Sequence, residues 1–366
     1  MIETPLFEIC RPKQWKTISS KYLSENGYPV YGANGIIGFH SGYNHEKPTI
    51  LITCRGATCG TINVSVPFSY INGNAMALDD LDEHKAYINY ISYYLKYRGF
   101  ADVISGAAQP QITREGLQSV KIPLPPLTEQ RRIAAILDKA DELRQKRKQA
   151  IEKLDQLLQA TFIEMFGDPV TNPKGWDLFK LSDLGKISTG STPSRSEPQN
   201  YGNYLEWIKS DNLNNNEDYA TTATEYLSEK GAQKGRIAPK GSILVTCIAG
   251  SFDCIGNLAM VDRQVSFNQQ INAITPNCSV LLEFLYYLMK ISKPIIQNAS
   301  TKGMKGMVSK SKFSEILLPV PPKEEQFQFV QFFKNFDSLK RSHKVFFNDV
   351  DSLFNSLQNQ AFNGKL

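Results

Sequence analysis

The feature that most constrains this chain is a segment that returns. Val120-Lys-Ile-Pro-Leu-Pro-Pro-Leu-Thr-Glu-Gln130 reappears as Ile316-Leu-Leu-Pro-Val-Pro-Pro-Lys-Glu-Glu-Gln326, an offset of 196 positions. The same offset pairs Asp141 with Asp337, Leu143 with Leu339, Asp155 with Asp351, Leu157 with Leu353 and Phe166 with Phe362. Upstream, Gln111-Ile112-Thr113 matches Met307-Val308-Ser309 without a gap, and Ile50-Leu-Ile-Thr-Cys54 resembles Ile243-Leu-Val-Thr-Cys247. A Pro-rich stretch of eleven residues alone can match by chance. A register held through the following helix marks a duplication, so the chain divides into halves of about 1–170 and 171–366 that share one plan.

Each half opens with a segment rich in Gly, Asn, Tyr and β-branched residues. Short apolar or β-branched runs at Thr49–Thr53, Thr61–Val66, Ser242–Cys247 and Leu258–Val261, set between glycines and turns, are expected strands. Ala86–Tyr97 and Leu281–Ile291 have the spacing of amphipathic helices. Each half closes with the Pro-x-Pro-Pro segment and one long helix. The expected fold class is α+β, a pair of tandem mixed α/β domains, 1–126 and 169–322, with long helices at 127–168 and 323–366.

The long helices carry the clearest periodic signal. Pro125 and Pro126 forbid helix before Leu127, and Thr128 is the expected N-cap. Apolar or small residues recur at Ile133, Ile136, Ala140, Leu143, Ala150, Leu154 and Leu157, with a flanking row at Leu137, Ile151, Leu158 and Met165. The second copy reads Phe329, Phe332, Phe336, Leu339, Phe346, Val350, Leu353 and Leu357. The polar break falls at the same place in both, Arg147 and His343. This is a coiled-coil pattern held for about five heptads. Two helices each packed only on its own domain are the plainer reading. Alanines in the first helix and phenylalanines in the second favour packing against each other.

Recognisable catalytic chemistry is absent. There is no phosphate-binding glycine loop, no dinucleotide fingerprint and no metalloprotease or nucleophile-elbow motif around His40, His45, His84 or His343. Cys54 with Cys59, and Cys247 with Cys254, fall short of a four-ligand zinc set, so no metal is expected. No Asn/Asp-Pro-Pro-Tyr/Phe amino-methylation motif occurs, and no cofactor is expected. With 41% hydrophobic and 21% charged residues, the chain is neither disordered nor a disulfide mini-scaffold. No membrane helix or signal peptide is visible, so a cytoplasmic protein with reduced thiols is expected. A net charge of +5 permits nucleic-acid binding without demanding it.

The candidate ligand-reading residues lie in polar loops. The first half offers Tyr31 and Asn34 in Tyr28–Gly35, Arg55, Asn72 and Asn74, and Gln109 and Gln111. The second offers Ser191, Thr192 and Arg195 in a hydroxyl-rich loop, Lys209 and Ser210, Asn268 and Gln269, and the basic pair Lys302 and Lys305. Amides and guanidinium groups suit base edges, and lysines beside glycines suit phosphates. Taken singly, each is also ordinary turn chemistry.

The duplicated plan resembles the specificity subunit of type I restriction–modification systems. The resemblance spans essentially the whole chain. Its marks are Ile122-Pro-Leu-Pro-Pro-Leu-Thr-Glu-Gln130 and Leu318-Pro-Val-Pro-Pro-Lys-Glu-Glu-Gln326, Tyr28-Pro-Val-Tyr-Gly32, Gly175-Trp176 with Leu181-Ser-Asp-Leu184, Ile187-Ser-Thr-Gly-Ser-Thr-Pro193, Trp207-Ile-Lys-Ser-Asp211 and Phe267-Asn-Gln-Gln270. The chain departs in having no Gly-Trp before Leu6-Phe-Glu-Ile9. The resemblance implies two target-recognition domains, each reading one half of a split sequence in double-stranded DNA. It implies that the helices form an antiparallel coiled coil that separates the domains and docks two adenine-methylating modification subunits, which restriction subunits join. A helix of roughly 37 residues is about 55 Å long, enough to span one DNA turn. Ile133, Ile136, Leu143, Leu154 and Leu157, with Phe332, Phe336, Leu339, Phe346 and Leu353, are the expected coiled-coil and docking positions. A methyltransferase or nuclease complete on one chain, and a scaffold that binds DNA without sequence preference or binds only protein, are the rival classes.

Overall fold

The computed structural model describes residues 3–106, 109–214, 217–301 and 306–366. It divides into two compact units, one of Met1–Gln149 with His343–Leu366 and the other of Ala150–Ser342. Each long helix therefore contributes to both.

In the first unit the organising strand is Ile50–Thr53, buried along its whole length as its unbroken apolar run requires. It pairs antiparallel with Ile62–Val64 and Ala75–Asp79, and Ala75–Asp79 pairs in turn with Arg11–Gln14. A second sheet joins Gly35–His40 to Tyr28–Gly32, with Tyr70–Ile71 parallel to the latter. Glu3–Pro5 pairs with Lys121–Pro123. The helix Ile88–Arg98 buries Tyr90, Ile91 and Leu95 in the core that holds Ile50, Ile52 and Met76.

The second unit repeats this plan. Ile243–Thr246 lies between Leu258–Met260 and Ile271–Pro276, and the latter pairs with Gly185–Thr189. Leu205–Ile208 runs parallel to Val265–Phe267, as Tyr28–Gly32 does to Tyr70–Ile71. Leu178–Lys180 pairs with Leu317–Pro319, the counterpart of the terminal pair in the first unit. The expected strands and the two amphipathic helices are present with ends shifted by at most two residues, and the fold is a duplicated α+β arrangement.

The repeated motif has a structural reason. Gln130 and Gln326 are almost wholly buried. The Gln130 amide oxygen accepts the Tyr87 N–H at 2.8 Å, and its amide nitrogen donates to Lys85 and Pro125 carbonyls. Gln326 does the same for the Leu281 N–H at 3.0 Å and the Pro321 carbonyl at 2.9 Å. Tyr87 and Leu281 precede helices and have no side-chain cap of their own. The glutamine supplies from another segment the acceptor that those helix starts lack.

The long helices, Leu127–Phe166 and Lys323–Phe362, have 40 residues each, about 60 Å of rise. The first begins at Leu127 because the Pro126 carbonyl accepts the Glu129 and Gln130 N–H groups. Pro126 is therefore the cap, in place of the expected Thr128. A residue at this position needs a free carbonyl and no N–H, which proline satisfies. Gly167 at φ +79° and Gly364 at φ +69° close the two helices.

The helices pack antiparallel on each other in both units. In the first, Arg144 pairs with Asp351 at 3.3 Å, and the two polar breaks meet, Arg147 Nη1 lying 3.3 Å from His343 Nδ1. Ala134 and Ala140 lie in one core there with Phe354 and Phe362, whose rings stand edge to face on Tyr93 and Tyr90 of the helix Ile88–Arg98 at 6.1 and 5.6 Å. In the second, the two long helices meet ring on ring, Phe162 and Phe329 standing edge to face at 5.1 Å. Lys340 pairs with Asp155 at 2.7 Å, the duplicated counterpart of Arg144 with Asp351. Lys340 also reaches the buried Asp218 at 3.2 Å, which accepts from Tyr286 and Lys290 as well.

The expected seam needs correction. Leu143, Leu157, Phe332, Leu339, Phe346 and Leu353 are 45–55% exposed, whereas Ile133 is buried and Ile136, Leu154 and Phe336 are half-buried. The buried line on the second helix runs through Phe329, Phe333, Lys340, Phe354, Gln358 and Ala361. Two apolar rows about 100° apart both satisfy a heptad count. Each helix also packs against its own domain's helix, and that third surface turns the other row inward.

Candidate nucleic-acid interface

In the first unit four loops converge where Ile50–Thr53 ends. The Thr53 hydroxyl donates to the Ala33 carbonyl, beside Asn34. Cys54 N–H donates to the Asn74 carbonyl at 3.2 Å and Ile112 N–H to the Cys54 carbonyl at 3.0 Å, while Arg55 forms a β-bridge with Gln111. Asn34, Arg55, Asn74 and Gln111 are exposed around this strand end, with Gln109 close by in sequence. Tyr31 and Asn72 are corrections to the sequence expectation. Tyr31 is 6% exposed, and its hydroxyl accepts the Val66 N–H. Asn72 is 3% exposed and brackets Ile18, accepting its N–H at 3.1 Å and donating to its carbonyl at 3.3 Å. Both hold loops in place, because a central strand and a buried turn leave no path to a groove.

The second unit makes the same convergence with different chemistry. Val308 N–H donates to the Cys247 carbonyl at 2.8 Å, and Ile248–Ala249 pairs with Gly306–Met307, matching Ile112 on Cys54 and Arg55 on Gln111. The loop after Gly185–Thr189 lies directly on the segment 267–271. Gly190 N–H donates to the Ile271 carbonyl at 3.0 Å and Ser191 N–H to the Phe267 carbonyl at 3.0 Å. A Cβ on Gly190 would sit 2.1 Å from the Asn268 carbonyl oxygen, so only glycine permits the approach. Thr192 then bonds Gln269, and Ser210 donates to Gln270 at 3.2 Å. Asn268 is 7% exposed and closes on the Gln270 amide group and backbone, shaping the turn that presents Gln269. Ser191 is half-buried, accepting the Arg236 N–H at 3.0 Å. Lys302 and Lys305 lie outside the described residues.

Arg195 and Lys209 meet on one carboxylate, that of Glu225. The Lys209 hydrogen bond and the Arg195 guanidinium hold the Glu225 carboxyl below its usual range. Both cations lie over aromatic rings, Arg195 over Tyr201 and Trp207 and Lys209 over Trp207. Gly190 and Trp207 stand in the family motifs with no role attached to them there, and nothing in the sequence around Glu225 or Tyr201 marks either as part of a site.

Cys54 and Cys247 occupy equivalent strand ends and are buried. Burial raises the Cys54 thiol pKa and pushes that of Cys247 up to about 12, the direction expected of thiols held away from water. Among the described residues, no group of three or more His, Cys, Asp or Glu side chains could hold a metal ion. No helix there is long and apolar enough to cross a membrane.

Two non-identical copies of one polar-loop domain, joined to paired long helices, define a duplicated recognition module. The model of the type I restriction modification DNA specificity domain matches residues 4–153 and 173–345, and the chain belongs to that family. It is 36% identical over 163 residues to the HindI specificity subunit of Haemophilus influenzae, covering 42% of this chain and 33% of the relative. It is 33% identical over 181 residues to the MjaIX specificity subunit of Methanocaldococcus jannaschii, covering 47% and 40%. The chain thus spans less than half the length of these two relatives. A longer alignment, 23% identical over 367 residues, joins it to the EcoR124I/EcoR124II specificity subunit of Escherichia coli, covering 92% and 87%. The fold matches the crystal structure of the S subunit from M. genitalium with a TM-score of 0.62 at 16% identity, covering 99% and 96%.

Proposed function

We propose that this chain is the DNA sequence-specificity subunit of a type I restriction–modification complex. In this reading, residues 1–126 and 169–322 each read one half of a bipartite target in double-stranded DNA, on DNA in the cytoplasm. The helices at 127–168 and 323–366 dock two modification subunits that methylate adenine, and restriction subunits join that assembly. Catalysis belongs to those partners. The observation that carries the reading is the matched convergence of exposed loops at equivalent strand ends, with different side chains in each copy. Two related surfaces of unlike chemistry suit an asymmetric target.

Exchanging residues 1 to about 116 for the same segment of a related protein should change one half-site and leave the other intact. Genome-wide mapping of methylated adenine, in cells that also carry the modification subunits, reads the outcome. Change in both half-sites together, or in neither, would refute two independent readers.

The exposed heptad rows support the docking role. Phe332, Leu339, Phe346 and Leu353 repeat every seven residues on one helix, and Ile136, Leu143 and Leu157 occupy duplicated positions on the other. A soluble helix seldom leaves such a row open without a partner. Leu339→Lys with Phe346→Lys should change thermal stability little, since both side chains are already half in water. The pair should weaken assembly with modification subunits at least tenfold, measured by sedimentation of mixed components. Normal assembly would remove these rows from the docking surface.

A further inference from the structure

Glu225 immediately precedes the strand Tyr226–Leu227, and its carbonyl accepts the Trp207 N–H at 3.0 Å, which fixes its main chain. One carboxylate oxygen accepts from Arg195 Nη2 at 2.7 Å, and the other accepts from Lys209. These cations come from different loops. Beneath them the aromatic floor is itself tied to the Arg195 loop. The Trp207 indole donates to the Ser191 carbonyl at 3.2 Å, and the Tyr201 hydroxyl donates to the Pro193 carbonyl at 2.7 Å. The guanidinium lies 4.7 Å from the Tyr201 ring centre and 5.5 Å from that of Trp207. The Arg195 side chain is nevertheless 59% exposed.

A guanidinium has five donors in a rigid fork, and Glu225 engages only part of it. Held from below by rings and from one side by a carboxylate, Arg195 is preset as a donor array facing outward. An unrestrained arginine would lose side-chain freedom on meeting a base, so presetting favours specific contacts. The same carboxylate acts oppositely on phosphate. It cancels one of the two positive charges and repels the DNA backbone, which weakens sequence-blind attraction.

We propose that Glu225 is a specificity-determining positioning residue. It aims Arg195 and Lys209 at acceptor-bearing base edges and restrains them from generic phosphate binding. This rests on the reading of the second domain as a DNA-recognition surface. Glu225→Gln keeps the side chain's shape and removes its charge. In the complex with modification subunits, it should raise affinity for a random-sequence duplex about three- to tenfold at low salt. The slope of log affinity against log salt should steepen by up to about one. The methylation map should loosen in the half-site read by the second domain and hold in the other. Glu225→Asp should restore part of the discrimination, which a purely structural role would not require. Unchanged binding and an unchanged map for Glu225→Gln would overturn the proposal. Arg195→Ala and Lys209→Ala separate the two levels. If they alter binding or the map while Glu225→Gln does not, Glu225 alone loses its role. If they alter neither, the DNA-facing assignment of this surface fails and the proposal falls with it.

Discussion

Gly190→Val is expected to abolish recognition by the second domain while the first domain continues to read its half-site. The added side chain would begin 2.1 Å from the Asn268 carbonyl oxygen and 2.5 Å from that of Phe267. Both obstacles are backbone atoms, Phe267 ending the strand Val265–Phe267 and Asn268 opening the turn after it, so the loop must move. Overpacking of this kind costs about 1–3 kcal/mol even after relaxation. The displacement would carry Thr192 away from Gln269 and Arg195 away from its aromatic floor, because both lie within five residues of the hinge. Methylation of the target should fall to background, with a modest drop in unfolding temperature. Gly250→Ala is the control, since a Cβ there meets nothing within 4 Å. Full methylation of an unchanged target by Gly190→Val would remove this loop from the reading surface.

Asp218→Ala is expected to destabilise the second unit by about 3–5 kcal/mol, the usual cost of leaving a buried charge without its partner. Asp218 and Lys340 side chains are 9% and 8% exposed. Lys340 would keep only Asp155 on the neighbouring helix, while Lys290, 36% exposed, can turn to water. Pairing Asp218→Leu with Lys340→Met should recover much of the loss, because two apolar groups need no compensation. Denaturant unfolding of the single and double variants reads this directly, and additive losses would contradict a coupled pair. The same carboxylate predicts acid behaviour. Burial alone would raise its pKa; the Lys290 and Lys340 ammonium groups, with hydrogen bonds from Lys290 and Tyr286, outweigh burial and bring it to about 2. A depressed carboxyl pKa stabilises the fold above the unfolded value near 4 and loses that contribution as pH falls toward 2. The wild-type chain should therefore lose about 2 kcal/mol of stability across that window that Asp218→Ala does not lose.

The duplication, the strand and helix positions and the long paired helices were legible in the residues themselves. A constant offset, apolar runs between glycines and a heptad count are local properties, readable without knowing what lies opposite. The buried runs Ile50–Thr53 and Ile243–Thr246 became central strands because their composition allows little else. The meeting of Arg147 with His343 was foreshadowed by their equivalent places in the two copies.

Tertiary structure alone decided which side chains face outward. Tyr31, Asn72 and Asn268 have the chemistry of readers, yet their polar atoms are engaged within the fold. Asn34, Arg55 and Gln269, no more distinctive in sequence, stand at the surface. The seam of the long helices turned the same way: period 3.5 admits two adjacent rows, and packing against a third helix selected between them. Glu225 joins Arg195, 30 positions earlier, to Lys209, 16 earlier, and no periodicity links such residues. Local pattern records what each segment needs to bury. Which polar groups remain for a ligand depends on the hydrogen-bond partners that distant segments bring, and those exist only once the chain has closed on itself.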